Sequence, residues 1–373
     1  MTCASAARSK FTGGFLPRRA GVPTCFQPGG LLVLCLLLWG TGLLPAAEPP
    51  AVAPASPGLV WKVTGGKSPL FLAGSLHFLE NGRRQAWPEP LAAAYRQCQT
   101  ISFELDSEDL ASTRTRSTIQ AWGRLPAGTN LWNIVTPETR TALDAAVSHR
   151  ATRNEAADCH PWMAALLISQ RQFSQSGIHL ADGMETQISR RARKDGKRLT
   201  GLGPVLDHYR NLTRLSPEAQ DYFLLMSLAP ADGMAADLQQ LERAWRGGDL
   251  AFLAPRSAGA YSGNPELRTA LLNGRNQSWM PSLRRLTDSS RPVLVVVGCL
   301  HLCGPGSLPA LMQARGYTVQ PYFGEPASPI APTAAAPPPA PSSAVRQLRA
   351  LVSSERAPDV LRGRIPGERS SPP

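Results

Sequence analysis

Two short apolar runs in the chain stop at the same four-residue signature. Pro69-Leu70-Phe71-Leu72-Ala73 runs into Gly74-Ser75-Leu76-His77. Val293 to Val297, opened by Pro292, runs into Gly298-Cys299-Leu300-His301, and Gly304-Pro305-Gly306 then breaks the chain. Aliphatic and β-branched runs of this length, bounded by Pro and Gly, predict buried strands. A histidine just past the end of such a strand stands where α/β sheets take their ligands. The two units lie more than two hundred residues apart, so the pattern predicts two histidines converging on one site.

The remaining elements follow from period and punctuation. Leu59 to Val63 predicts a strand, and Gly65-Gly66-Lys67-Ser68-Pro69 turns it into the next, as in a hairpin. Pro88 to Gln97 predicts a helix. From Thr100 to Asp106, Ile101, Phe103 and Leu105 alternate with Ser102, Glu104 and Asp106. That strand pattern puts Glu104 and Asp106 on one face near a strand end. Residues 107–250 read as mainly helical, with Thr136-Pro137 and Ser216-Pro217 as starts and an apolar helix from Pro161 to Gln172. Gly183-Met184-Glu185 opens a basic helix to Lys194, and a short strand follows from Arg198 to Leu202. Asn264-Pro265 starts a helix that Asn273-Gly274-Arg275-Asn276 is expected to interrupt, before a second helix to Asp288. Ser307 to Arg315 predicts a helix and Tyr317 to Tyr322 a last strand. The expected fold is α/β (α+β): a mixed β-sheet carrying the two strand–Gly-x-x-His units, with a large helical insertion between them.

Both ends depart from this pattern. Leu31 to Leu44 is apolar, follows Arg8, Lys10, Arg18 and Arg19, and precedes Ala46 and Ala47. Residues 1–47 therefore read as a signal peptide, since the run falls short of the roughly 20 residues of a membrane span. The expected location is periplasmic or secreted, or membrane-anchored if the leader is uncleaved. Residues 48–58 read as a Pro/Ala linker, 59–324 as the folded domain and 325–373 as a disordered Pro/Ala-rich tail. The formal charge of +12 is partly contributed by leader and tail. What remains is a modestly basic globule without a basic, aromatic-interleaved patch, which argues against nucleic acid as a partner.

Candidate chemistry centres on His77, His301, Glu104 and Asp106 as ligands of a divalent metal, because such sites combine imidazole with carboxylate. A metal-free alternative makes one histidine the general base, oriented by Glu104. No Gly-x-Ser-x-Gly elbow, phosphate loop or dinucleotide fingerprint is present. Four of the seven cysteines follow the leader: Cys98, Cys159, Cys299 and Cys303. An even number in an exported chain favours disulfides, although Cys299 and Cys303 bracket His301 and thiolate ligation is the other reading.

Taken together, Gly74-Ser75-Leu76-His77, Phe103-Glu104-Leu105-Asp106, Pro161-Trp162, Gly183-Met184-Glu185, Arg275-Asn276 and Gly298-Cys299-Leu300-His301 resemble the TraB/PrgY/GumN family, which is related to the Tiki metalloproteases. The resemblance covers about Val60 to Phe323. It implies a two-histidine, glutamate-assisted site and metal-dependent cleavage of a peptide or protein, with manganese, cobalt or zinc as the ion. It adds Arg275, which would stabilise developing negative charge or hold a substrate carboxylate, and Asn276 and Glu185 as residues beside the substrate. Many bacterial relatives carry Gly-Leu-Glu-Thr where this chain has Gly201-Leu202-Gly203-Pro204. The alternative implied by that missing acid is an inactive envelope binding protein of the same fold.

Overall fold

A computed structural model of the chain describes residues 56–79, 86–176, 183–229 and 234–324, all within one compact unit that ends at Glu325. The expected leader, most of the linker and the tail lie outside the described residues. The fold is mixed α/β and mostly helical, built on a six-stranded mixed sheet. Its strands are β1 (Val60–Thr64), β2 (Leu70–Ser75), β3 (Thr100–Leu105), β4 (Arg198–Gly203), β5 (Val293–Gly298) and β6 (Thr318–Pro321). Their spatial order is β4-β3-β5-β2-β1-β6. The first four in that order run parallel, while β1 pairs antiparallel with β2 as the expected hairpin and with β6 on its other side.

Strands inside a parallel array are covered on both faces and carry near-continuous apolar sequence. β2 and β5 are buried at every position. β3 is buried throughout after Thr100, Ser102 and Glu104 included, so its alternating sequence does not mark a solvated face. Register matters most between β2 and β5, where Gly74 pairs with Val297 and Ser75 with Gly298. The two Gly-x-x-His units therefore leave neighbouring parallel strands at one edge of the sheet, a single residue out of step. Gly74 sits close to its surroundings: a Cβ there would come 3.1 Å from Leu59 Cβ and 3.3 Å from Cys299 Cβ. Its carbonyl accepts the indole N–H of Trp245 at 2.9 Å.

Helix starts follow the expected polar caps. Thr136, Ser216 and Asn264 each accept the backbone N–H three residues on. Three features differ from the sequence expectation. Asp106 is not a strand residue: β3 ends at Leu105, and the Asp106 carboxylate caps the helix Ser107–Ala111 by accepting from Glu108 N and Asp109 N at 2.8 and 3.2 Å. A helix over Leu250–Gly259 is present with Pro255 inside it, a residue that normally argues against a helical interior. Gly274 does not interrupt its helix. The backbone stays right-handed from Pro265–Arg268 through Thr269–Asn273 into Gly274–Thr287, and the middle segment is a π-helical turn closed by Gly274 N–H to Thr269 O. A Cβ at Gly274 would lie 2.6 Å from Thr269 O, so this widened turn closes over a residue without a side chain.

Trp245 is fully buried and joins the helix Met234–Gly247 to β2, the strand that leads to His77. Trp245→Phe leaves the Gly74 carbonyl without its donor and opens a small void, which should cost about 2–4 kcal/mol. A urea unfolding midpoint unchanged by this substitution would show that the contact does not hold β2 in place.

Candidate active site

Glu104 lies at the C-terminal end of β3 and is buried. Its Oε1 accepts the Gly298 N–H from β5 at 2.7 Å, and its Oε2 accepts from Arg275 at 2.6 Å. Burial raises the carboxyl pKa, but Arg275, His301, His77 and the Gly298 amide outweigh that and hold it well below the usual carboxylate range. The group is an anion at any working pH. Arg275 is itself buried and lies over the Trp279 ring, 4.5 Å from its centroid.

His77 is positioned by the loop after β2 and by the start of the helix Met184–Lys194. Met184 N donates to Leu76 O at 2.9 Å. A Cβ at Gly183 would lie 2.1 Å from His77 O, so the helix start touches the histidine backbone only because that residue is glycine. The next turn brings Glu185 Oε1 within 2.8 Å of His77 Nδ1. The Ser75 hydroxyl donates to the same oxygen.

His301 sits in a 3-10 turn, Cys299–Leu302, at the end of β5. The hydroxyl of Ser257 binds the turn from outside, donating to Leu300 O and Cys303 O at 3.0 Å each. His301 Nδ1 lies 2.6 Å from Asn276 Oδ1, and Asn276 Nδ2 donates to Gly306 O at 2.8 Å. Because the amide nitrogen is committed to a carbonyl, its oxygen faces the ring, and Nδ1 must carry the proton. The lone pair is then on Nε2, 3.7 Å from Glu104 Oε1. Burial lowers the His301 pKa to about 3, with Glu104 opposing and Arg275 and His77 adding to the shift. The ring is neutral.

Gly298 marks the place where these groups meet. A Cβ there would stand 3.3 Å from both Glu104 Oε1 and His77 Nε2, and 3.7 Å from His301 Cδ2. Of the residues expected at the site, the structure gathers His77, His301, Glu104, Arg275, Asn276 and Glu185. Asp106 is not among them; its carboxylate is spent on the helix cap. Among the described residues Cys98, Cys159, Cys299 and Cys303 form no disulfide with one another, against the expectation. Cys303 Sγ donates to Cys299 O at 3.2 Å, and burial pushes the Cys303 thiol up to about 12, which disfavours a ligating thiolate there.

The family model of the TraB/PrgY/gumN family matches residues 59–321. The chain belongs to that family. No curated protein and no solved structure matches it. In this member of the TraB/PrgY/gumN family the two imidazoles and Glu104 are the right kinds of donor for a divalent ion, and each ring has its Nδ1 held by an acceptor, as metal-bound imidazoles usually do. Their arrangement does not match. Glu104 already has a guanidinium on one oxygen and an amide on the other. Among the described residues no three His, Cys, Asp or Glu side chains are grouped to hold a metal ion. The described side chains as placed do not make a metal centre.

One buried residue beside these groups escaped the sequence reading. His208, in the helix Val205–Thr213 that follows β4, lines a cavity of about 200 Å³ together with His77, Glu104, Glu185 and Arg275. Burial, Arg275, His301 and His77 lower its pKa well below 6.5 against the pull of Glu104. The available signal was topological: His208 follows the C-terminal end of the fourth parallel strand, at the edge where the other three strands deliver theirs.

Two outcomes are expected. Gly298→Ala should fold, with neighbours yielding a few tenths of an ångström, yet occupy the space between His77 and Glu104 and suppress any turnover. A fully active, well-folded variant would show that the reaction does not occur there. The second concerns acid. Unfolded histidines protonate near 6.5, whereas His301 does so at about 3 and His208 also well below 6.5. Between those limits the unfolded chain binds more protons, so unfolding free energy should fall as pH drops from 6.5 toward 3 and be insensitive to these groups above 6.5. Denaturant titrations from pH 7 to 4 should show a shallower decline in His208→Gln. An identical slope would mean that His208 is not buried as a neutral ring.

Proposed function

We propose that this TraB/PrgY/gumN protein is a hydrolase acting on a peptide bond, with His77 as general base. The observation that carries the reading is the His77–Glu185 pair at 2.8 Å, set beside the buried Glu104–Arg275 pair. Glu185 accepts the Nδ1 proton of His77 and so leaves the Nε2 lone pair as the base, the logic of an oriented histidine in acyl transfer. Nε2 takes a proton from water as the water oxygen bonds to the carbonyl carbon. Negative charge gathers on the carbonyl oxygen, and the Arg275 guanidinium is the cationic group that would face it. The C–N bond then breaks, and the imidazolium returns its proton to the departing amine. His301 Nε2 offers an acceptor for the second hydrogen of the attacking water. Glu104 is too weak a base for these transfers; its work is to hold Arg275 in position. With residues 1–47 acting as a signal peptide, the proposed activity would lie in the periplasm or outside the cell, or at the membrane where the leader is uncleaved.

A binding protein of the same fold is the second reading, and Gly203 favours it. A Cβ at that position would stand 3.9 Å from the Trp279 ring, which packs on both His301 and Arg275. The acid expected there would adjoin the site, and this chain lacks it.

Digestion of an unbiased peptide library by the full chain tests the proposal. His77→Ala and Glu185→Gln should each lower kcat by about 10²- to 10⁴-fold while circular dichroism stays unchanged. Cleavage should survive a chelator. Loss with chelator and recovery with manganese or cobalt would replace the base mechanism by a metal-dependent one. Absence of any cleaved peptide would favour the binding protein.

A further inference from the structure

Two cavities adjoin the histidines, and they differ in chemistry. One is small and largely apolar, lined by Leu271, Leu272, Leu300 and Tyr261 beside His77 and His301. The other is the cavity of about 200 Å³ that holds Glu104 and Arg275, and its lining extends to Arg190 and Arg193 on the helix Met184–Lys194. Both arginines are exposed. Arg193 donates to the hydroxyls of Ser189 and Ser107 at 2.8 Å. Among the described residues neither arginine is ion-paired with an acid, in contrast to Arg191, which pairs with Asp195 on the same helix. Deeper in the cavity stands His208, 7% exposed, with a buried Nδ1 that lacks a hydrogen-bond partner among the described residues.

From these placements we infer that the cavity selects a substrate carrying a carboxylate on one side of the reacting bond, bound by Arg190 and Arg193, with His208 as a neutral hydrogen-bonding wall. The inference rests on the hydrolase reading for the position of the reacting bond. The charge count sets the ligand class. Arg275 is matched by Glu104, and Glu185 remains on the same wall as the two free guanidinium groups, so a single negative charge completes the cavity. A phosphate dianion would face both carboxylates. Guanidinium groups bind carboxylates through paired, charge-assisted hydrogen bonds, and a neutral buried ring adds a donor without the desolvation cost of a second charge. The apolar cavity on the other side of His77 suits an uncharged side chain across the bond.

The carboxylate could be an Asp or Glu side chain or the substrate's own C-terminus, and the experiment separates them. Fluorescein-labelled peptides are prepared with an internal Glu or Gln, each with a free or amidated C-terminus. Binding to the full chain is followed by anisotropy, with digestion measured in parallel. The acidic forms should bind about tenfold more tightly than the neutral amide. In Arg190→Gln/Arg193→Gln that ratio should approach one, and Arg190→Lys/Arg193→Lys should recover part of it; melting temperatures check that all variants fold. A gain confined to the internal Glu or to the free C-terminus identifies the source. Equal binding of acidic and neutral peptides, or a ratio untouched by the Gln double variant, would overturn the inference. Cleavage without acid preference removes this inference and keeps the hydrolase; acid-selective binding without cleavage does the reverse.

Discussion

A carboxylate closed off from water is the constraint around which this molecule is arranged. Removing a carboxylate from solvent is costly unless both oxygens find strong partners. Glu104 obtains one partner from the backbone of β5 and the other from the guanidinium of Arg275. Three separate stretches of chain must come together for that to happen: the inner strand β3, its parallel neighbour β5, and the helix beginning at Gly274. Losing one member of such a pair costs on the order of 3–5 kcal/mol, a large share of a domain's net stability. Once Arg275 is drawn to Glu104, Asn276 follows it in sequence and reaches both His301 and the Gly306 carbonyl. The orientation of one histidine is thus a by-product of neutralising the acid.

Parallel pairing explains why so many chemical groups share so little space. β4, β3, β5 and β2 point the same way, so their C-terminal ends form one edge, the usual position for ligands in sheets of this kind. Each strand sends something there: His208 after β4, Glu104 from β3, His301 after β5 and His77 after β2. His301 is buried at this edge. That burial keeps its ring neutral and keeps its lone pair available at any pH near neutrality, at the expense of acid stability.

Much of this was legible in the sequence where local pattern and tertiary demand agree. The apolar runs ending in Gly-x-x-His identified β2 and β5 because strands buried on both faces have no alternation to hide them. The caps at Thr136, Ser216 and Asn264 were readable because a polar residue before Pro or a helical run has a local reason to be there. Asp106 was misplaced because period-two alternation continues through it, and only the amides of Glu108 and Asp109 show that the strand has ended. No element was expected over Leu250–Gly259, where the helix carries Pro255 in its interior. Disulfides were expected because the chain reads as exported, while Cys98, Cys159, Cys299 and Cys303 form none with one another among the described residues. The pairing of His77 with Glu185 could not be read at all: it depends on Gly183 lying against a backbone carbonyl more than one hundred residues earlier in the chain.

The π-helical turn at Thr269–Asn273 has a consequence for how this helix can vary. An α-helix advances about 100° per residue. Winding the same residues as an ordinary α-helix would over-rotate the chain by about a quarter-turn and swing the following face off the site, carrying Arg275 and Asn276 with it. The wide turn takes up one residue more than an ordinary turn and keeps the faces on either side of it in step. The turn works as a counting device, and the tally it keeps is what holds a cation opposite a buried acid.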